Sequence, residues 1–246
     1  MRFAAIADVH GNYLALEAVL ADIKTQGITD IVNLGDMASG PLDARRTLDI
    51  MMAMNAVCVR GNHDRYLTDF KIEDMYPSDR LAHSQLDATQ LDWLRALPFE
   101  TIYRDEVYFC HATPQDDNTY WLEAVTPDGV IHMADIESIE ARAHGIKQSL
   151  ILCAHTHIPR TVRLRDGRMI VNPGSVGCPG YRDVTPFPHL MQTGTPDASY
   201  VILERRDERW SVTFRQVPYD HDAMAALARA NDRPEWASAL ATGWIR

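Results

Sequence analysis

Five short apolar runs of the chain each end at residues that can bind a divalent metal ion. The runs and the donors at their ends are Phe3–Ala7 with Asp8 and His10, Ile31–Leu34 with Asp36, Val57–Val59 with Asn62, Val107–Cys110 with His111, and Leu150–Ala154 with His155 and His157. Such runs, bounded by glycine and polar residues, predict buried strands, and open α/β sheets bind ligands beyond the carboxyl ends of their strands. We therefore expect these donors to converge on one site.

Each pair of donors also has an ordinary structural explanation. Asp8 and His10 could belong to a solvated turn, and Asp36 follows a glycine, as aspartate often does in turns. His155 and His157 place two imidazoles at strand spacing after a buried run, which favours metal binding over a purely structural role. The combination of these motifs in one chain therefore favours a metal site.

The segment Gly61-Asn62-His63-Asp64 is the most specific local pattern. Asn62 is a neutral oxygen donor, so it limits the total negative charge of a site that takes an anionic substrate. His63 can point at another group nearby. Asp64 could instead only cap the helix that follows.

The elements that must position these residues alternate between strands and amphipathic helices, which predicts an α/β fold with a largely parallel sheet. Pro41 is expected to open the second helix. Residues 66–100 and 114–148 interrupt the alternation and are predicted to be helical excursions. No linker or repeat divides the chain, so residues 1–246 are expected to form one domain.

The carboxyl-terminal third follows a different pattern. Tyr200–Leu203 and Trp210–Val217 alternate apolar and polar residues across a charged turn, which predicts an antiparallel hairpin. Residues 220–242 are predicted to be helical with an interruption at Pro234. Residues 178–196 are rich in proline, glycine and threonine and are predicted to be a long loop.

Composition excludes several classes of function. The net charge of −10 argues against an extended nucleic-acid surface, which would need clustered Lys and Arg. The four cysteines form no CxxC pair, so neither a disulfide framework nor a thiolate zinc site is expected, and a reducing compartment is favoured. No apolar stretch is long enough to cross a bilayer, and donors by position 10 argue against a cleavable leader. We expect a cytoplasmic protein.

The order of the motifs resembles the calcineurin-like metallophosphoesterase superfamily, whose pattern is DxH, GD, GNH with an acidic residue, a lone His and GHxH. Within this superfamily the chain is similar to the small bacterial and archaeal phosphodiesterase branch, because Asn172-Pro173-Gly174-Ser175 follows an apolar strand, as is common there. The resemblance implies two β-sheets packed face to face and flanked by helices.

The resemblance also implies the roles of the donors. Two divalent ions would bind, one to Asp8, His10 and His157 and the other to Asn62, His111 and His155, with Asp36 bridging both. His63 would be the catalytic acid near the leaving group. Oxygen and nitrogen donors fit Mn, Fe, Zn, Co or Ni, with Mn favoured.

This donor set suits phosphate-ester hydrolysis. Two ions about 3.5–4 Å apart can bind phosphate oxygens and activate one water for in-line attack. We therefore predict a phosphodiesterase that acts on a small phosphate ester. The alternatives are a nucleotide phosphomonoesterase or dinucleoside polyphosphate hydrolase, and a metal-binding scaffold without turnover. Neither the natural substrate nor the oligomeric state is predicted from the sequence.

The chain departs from the family pattern at two places. Ala154 replaces the usual glycine before the HxH pair, a small change. Ser39 and Gly40 stand where the protein Ser/Thr phosphatases have Asp and Arg, so both the Asp partner of the catalytic His and a phosphate-binding Arg are expected to be missing. Protein phosphatase activity is therefore not expected.

Three further residues are candidates for substrate contact. Asn12 could orient His10 or contact phosphate, or it could cap the first helix. Tyr13 could line the pocket or pack on a helix face. His189, in the proline-rich loop, is expected near the substrate. Tyr66, Tyr76 and Trp93 could stack on a base, although packing is the default expectation for them.

Overall fold

A computed structural model describes all residues, 1–246, as fourteen strands and eight α-helices. The strands are β1 Arg2–Ile6, β2 Ile31–Asn33, β3 Ala56–Cys58, β4 Glu100–Tyr103, β5 Val107–Cys110, β6 Glu123–Val125, β7 Ile131–Met133, β8 Leu150–Leu152, β9 Arg160–Arg163, β10 Met169–Asn172, β11 Gly180–Asp183, β12 His189–Gln192, β13 Ala198–Arg206 and β14 Arg209–Val217. The helices are α1 Tyr13–Thr25, α2 Ala44–Ala53, α3 Asn62–Asp69, α4 Pro77–Gln85, α5 Ala88–Ala96, α6 Ile136–Arg142, α7 His221–Ala230 and α8 Pro234–Thr242.

Ten of the strands form two five-stranded sheets. The first has the order β14-β13-β1-β2-β3, and the second has the order β4-β5-β8-β10-β9. Three strands run parallel in each sheet: β1, β2 and β3 in the first, and β5, β8 and β10 in the second. The carboxyl ends of the parallel strands therefore lie along one edge of each sheet.

The two sheets pack face to face. One buried apolar cluster combines Phe3, Val32 and Val201 of the first sheet with Phe109 and Leu152 of the second. Side chains alternate along a strand, so the intervening residues of β1 face the other way. The predicted pair of packed sheets is confirmed.

Helices cover both outer faces of the sheet pair. Ala4 and Ile6 of β1 pack with Leu16 of α1 and Leu48 of α2 on the outer side of the first sheet. On the outer side of the second sheet, strand residues such as Ile151 share a buried cluster with α6. The predicted α/β architecture, with helices flanking the sheets, is therefore confirmed.

The carboxyl-terminal region folds as the patterns predicted. Strands β13 and β14 form an antiparallel hairpin that adds to β1 of the first sheet. Helices α7 and α8 follow, and Pro234 begins α8, a position where its missing N–H costs nothing. None of the eight helices is both long and apolar enough to traverse a bilayer.

Three local predictions were wrong. Pro41 does not open α2, which begins at Ala44 after Asp43, whose carboxylate accepts a hydrogen bond from the Arg46 N–H as an N-cap. Residues 114–148 contain a helix around Ile136 and Ile139, as expected, but the β6–β7 hairpin precedes it, so the excursion is only partly helical. Residues 178–196 contain the β11–β12 hairpin rather than an unstructured loop.

The packing between the sheets predicts the effect of one substitution. Phe109 is fully buried between the sheets, whereas Phe214 of β14 is 40% exposed. Phe109→Ala should lower the free energy of unfolding by about 3–5 kcal/mol, because it leaves a cavity. Phe214→Ala is the matched control and should cost about 1 kcal/mol or less. Urea unfolding measures both, and equal losses would contradict the face-to-face packing.

Candidate metal centre

The seven predicted donors all lie just beyond strand ends, on the edge that the two sheets share. Strand β1 leads to Asp8 and His10, β2 to Asp36, and β3 to Asn62 at the start of α3. In the second sheet, β5 leads to His111, and β8 leads to His155 and His157. The fold thus brings donors from both sheets to one place.

One group of donor atoms gathers around His10. Its Nε2 lies 3.3 Å from His157 Nε2 and 3.8 Å from Asp36 Oδ2. His157 Nε2 in turn lies 3.4 Å from Asp8 Oδ1. Atoms this close can share one ion.

A second group gathers around His111. Its Nε2 lies 3.0 Å from Asn62 Oδ1 and 3.4 Å from Asp36 Oδ2. His155 joins this group, since one donor atom from each of Asp36, His111 and His155 lies within 4.8 Å of the others. Asp36 is therefore the one residue that belongs to both groups.

Backbone carbonyls fix which nitrogen of each imidazole is free. The Nδ1 atoms of His10, His111 and His157 donate to carbonyl oxygens at 2.7–2.8 Å, and the Nε2 of His155 donates at 2.9 Å. The accepting carbonyls belong to Ser39, Leu34, Cys178 and Asn118, in that order. In the neutral ring the other nitrogen keeps its lone pair, as metal-ligating histidines require.

The buried Asp8 carboxylate has no hydrogen-bond donor. Both side-chain oxygens of Asp8 are fully buried and accept no hydrogen bond. Burial opposes the charge of His111, but the Asp36 carboxylate outweighs it and raises the pKa of His111 to about 9. A buried carboxylate without a partner is costly unless a cation compensates it. Divalent ions between the two groups therefore fit the residues present.

Five of the seven donors have a left-handed backbone. The φ angles of Asp8, His10, Asp36, His155 and His157 lie between 51° and 69°. A left-handed conformation costs roughly 1–2 kcal/mol for a residue with a Cβ, and such strain is concentrated at functional sites. Hydrogen bonds between the loops hold it: Asp8 N–H donates to the Gly35 carbonyl and His10 N–H to that of Asp36, both at 3.0 Å.

Asp64 caps helix α3 and also holds the loop that carries Asp36. Its carboxylate accepts hydrogen bonds from the backbone N–H groups of Gly61, Asp36 and Met37 at 2.8–3.0 Å. Burial, with the Asp36 charge adding to it, raises the pKa of Asp64 to about 6. Asp64 therefore joins the segment after β3 to the segment after β2.

His63 has an aspartate partner, contrary to the expectation drawn from Ser39 and Gly40. Its Nδ1 lies 2.8 Å from Oδ1 of Asp79, which is fully buried on α4. The Ser39 hydroxyl donates to the same carboxylate. Burial lowers the pKa of His63, but the charges of Asp79 and Asp36 outweigh this effect and raise it to about 9. No sequence pattern pointed to Asp79, because it lies in a helix outside every motif.

The Asn172-Pro173-Gly174-Ser175 motif supports two of the donor loops. Asn172 donates from its side-chain amide to the Ala154 carbonyl and to the Thr156 hydroxyl, at 3.0 and 2.9 Å. The Ser175 hydroxyl donates to the Asp8 carbonyl at 2.8 Å. Ala154 is not among the residues with positive φ, so glycine is not required there.

The thiol of Cys178 lies near two of the donors, although no thiolate zinc site was expected. One ligand atom from each of His10, His157 and Cys178 lies within 4.8 Å of the others. The thiol also donates to the Gly180 carbonyl at 3.5 Å. Its sulfur is thus close to the first donor group, although all four cysteines are unpaired and buried.

The three candidates for substrate contact lie elsewhere. Asn12 is buried and caps α1: its Oδ1 accepts from the Ala15 N–H, and its amide donates to Gly177 O and Tyr219 Oη. No atom of Asn12 is left for substrate, and His10 is oriented by Ser39 instead. Of the alternatives left open for Asn12, the structure shows the cap of the first helix.

Tyr13 and His189 are packed against other side chains. The Tyr13 ring lies under the Arg46 guanidinium, 3.8 Å from its carbon, on the side of α1 that packs with α7 and α8. His189 is buried, and its Nε2 lies 2.9 Å from the hydroxyl of Tyr120, whose ring lies 5.2 Å from that of His155. His189 therefore stands behind a donor, and neither residue faces the site directly.

The site and fold together define a class: hydrolases that use divalent ions to cleave phosphate esters. The calcineurin-like phosphoesterase superfamily domain matches residues 1–207. The uncharacterised protein MJ0912 of Methanocaldococcus jannaschii is 28% identical over 255 aligned positions, which cover 95% of this chain and 94% of that protein.

Two solved structures have the same overall fold. A metallophosphoesterase from Sphaerobacter thermophilus has a TM-score of 0.75 and 27% identity, with 99% of each chain covered. The hypothetical protein PH1004 from Pyrococcus horikoshii OT3 has a TM-score of 0.73 and 20% identity, with 100% of this chain and 99% of that chain covered. The chain belongs to the calcineurin-like phosphoesterase superfamily and is a metal-dependent phosphoester hydrolase.

The contacts of Asp64 predict that its substitution lowers metal affinity, although Asp64 is not itself a predicted donor. Asp64→Ala leaves three buried N–H groups without acceptors, each worth about 1–3 kcal/mol, and frees the loop of Asp36. We expect Mn²⁺ affinity to fall at least about tenfold, measured by equilibrium dialysis. Asp135→Ala, which removes the N-cap of α6, is the control and should not change Mn²⁺ affinity. Unchanged Mn²⁺ affinity in Asp64→Ala would mean that Asp64 serves only as a helix cap and does not hold the Asp36 loop.

Proposed function

We propose that the protein is a binuclear phosphodiesterase that hydrolyses a small phosphate ester. The observation that carries the proposal is the position of Asp36, whose Oδ2 lies 3.8 Å from His10 Nε2 and 3.4 Å from His111 Nε2. A carboxylate between two groups of donors is suited to bridge two ions. The unpartnered oxygens of Asp8 support the same conclusion, because they need a cation close by.

The donors divide into two sets. Asp8, His10 and His157 would hold one ion, and Asn62, His111 and His155 the other, with Asp36 shared. Three oxygen and four nitrogen donors suit Mn, Fe, Zn, Co or Ni, and Mn²⁺ is our first choice for loading. When bound, the ions supply positive charge that polarises the phosphate and lowers the pKa of a water molecule.

His63 would donate the proton that the leaving oxygen needs. Support comes from its contact with Asp79, which fixes the ring through Nδ1 and leaves Nε2 for the substrate. Asp79 would be a positioning residue, because it acts through His63. It takes over the role that an aspartate near Asp36 has in protein phosphatases.

A diester is favoured over a monoester by the charges around the site. Three arginines that are close to donors in the sequence are already paired: Arg60 with Asp69, Arg65 with Asp117 and Arg160 with Glu123. A monoester carries two negative charges and benefits from a free guanidinium, as in bidentate Arg–phosphate pairs. A diester carries one charge, which the two ions can compensate.

The natural environment of the protein is part of the proposal. Four unpaired, buried cysteines support a reducing compartment such as the cytoplasm. The net charge of −10 supports a small phosphorylated substrate rather than an extended nucleic acid.

Model substrates test the proposed activity. The Mn²⁺-loaded protein should contain two ions per chain by elemental analysis and should hydrolyse bis-p-nitrophenyl phosphate with a higher kcat/KM than p-nitrophenyl phosphate. The reverse order would assign a phosphomonoesterase. Two bound ions without turnover of either substrate would assign a metal-binding scaffold and refute the proposal.

The roles of His63 and Asp79 predict a dependence on the leaving group. His63→Ala should lower kcat about 100-fold or more for diphenyl phosphate, whose leaving group needs a proton, and less for bis-p-nitrophenyl phosphate. Asp79→Asn should show the same trend at about tenfold, and both variants should keep their metal content. Asp74→Asn, an exposed residue just before α4, is the control. Equal losses on both substrates would mean that the pair does not supply the proton.

A further inference from the structure

An exposed group of aromatic side chains lies next to His63. The His63 ring is 5.2 Å from that of Tyr66 and 6.5 Å from that of Tyr76. Phe70 stacks on Tyr66 at 4.5 Å. The surface formed by Tyr66, Phe70 and Tyr76 is called the aromatic platform below.

The aromatic platform is unusually open to solvent. Tyr76 is 61% exposed and Phe70 is 38% exposed, whereas Tyr66 is buried beneath them. The Tyr76 hydroxyl makes no hydrogen bond within the protein. Contacts inside the protein therefore do not explain why a tyrosine stands at this exposed position. An exposed apolar surface beside a catalytic group is typical of a ligand-binding site.

A fourth aromatic ring borders the site from the carboxyl-terminal helix. Trp236 of α8 lies 5.8 Å from the His10 ring and is only partly buried. Arg233, just before α8, donates to the hydroxyl of Ser78 on α4. This hydrogen bond fixes the start of α8 against the start of α4, so Trp236 and Tyr76 stand on joined elements on the His10 and His63 side of the metal centre.

We propose that the leaving group of the substrate carries a nucleobase, which stacks on the aromatic platform with Trp236 at its border. This inference rests on the proposed function, because it takes His63 as the residue beside the leaving oxygen. A leaving group that receives its proton from His63 must extend past the rings around His63. Planar bases stack well on aromatic side chains.

Cationic as well as anionic groups border the platform. The Arg65 guanidinium lies over the Tyr66 and Phe70 rings, and Arg80 donates to the Met75 carbonyl beside Tyr76. Of the acidic residues, Asp79 is buried against His63 and Asp69 pairs with Arg60. The rings, rather than the charge around them, are therefore what the proposed base would contact.

Competitive inhibition tests the proposal. The probes are adenosine 5′-monophosphate and methyl ribofuranoside 5-phosphate, which share the sugar phosphate and differ in the base. Their inhibition constants are measured against hydrolysis of bis-p-nitrophenyl phosphate by the Mn²⁺-loaded protein. One stacked base should make the nucleotide about 5-fold to about 150-fold tighter.

Variants locate the source of this preference. Tyr76→Ala and Trp236→Ala should each reduce the ratio of the two inhibition constants at least about threefold. Tyr76→Phe should keep the ratio, since the ring rather than the hydroxyl is used. Phe214→Ala removes an aromatic side chain of similar exposure on β14 and should leave the ratio unchanged. A ratio near one in the wild type, or one that survives both alanine variants, overturns the proposal.

The test separates this proposal from the proposed function. If the loaded protein hydrolyses nothing, titration calorimetry of the same two probes into it measures the preference directly. Tighter binding of the nucleotide, lost in Tyr76→Ala, would then support the platform while the hydrolytic function fails. Equal binding of the two probes would refute base stacking on the platform even in an active enzyme. The exposed rings would then be assigned to contact with a protein partner.

Discussion

The burial of the Asp8 and Asp36 carboxylates side by side is the constraint on which the site depends. Both carboxylates are buried where the edges of the two sheets meet, and Asp8 has no hydrogen-bond donor of its own. Such an arrangement is unfavourable in a protein without cations. The imidazoles around it present free nitrogens because carbonyl groups bind their other nitrogens. The buried carboxylates and the free imidazole nitrogens therefore both favour a cation between them.

The loops that carry the donors adopt strained, left-handed backbone conformations. Left-handed backbones at most of the donors let short turns aim consecutive side chains inward, directly after each strand ends. Asp64 and Asn172 offset the cost by binding backbone groups of neighbouring loops. The sheets themselves are held together by close packing of apolar side chains between them. The scaffold is therefore rigid where the donors require it.

The sequence predicted the parts of the molecule that depend on local pattern. Runs such as Phe3–Ala7 specify buried strands, and the donors follow them directly, so their convergence could be inferred. Asp79 could not be inferred, because its link to His63 is made by tertiary packing of α4. The left-handed angles had no signal either, since they fall on Asp and His rather than glycine. The hairpins β6–β7 and β11–β12 were missed because their strands are short and mix polar with apolar residues, unlike the equally short β2, β3 and β8, which lie in apolar runs.

The hydrogen bond from Arg233 to Ser78 joins a helix beyond the matched family domain to a helix inside it. The family domain covers residues 1–207, and it includes every metal donor, whereas Arg233 and Trp236 come later. The surface proposed to bind a base is consequently built from both parts of the chain, because its platform lies inside the family domain and Trp236 lies beyond it. A change confined to the last two helices would alter one border of that surface and leave the strands, the donor loops and the platform in place.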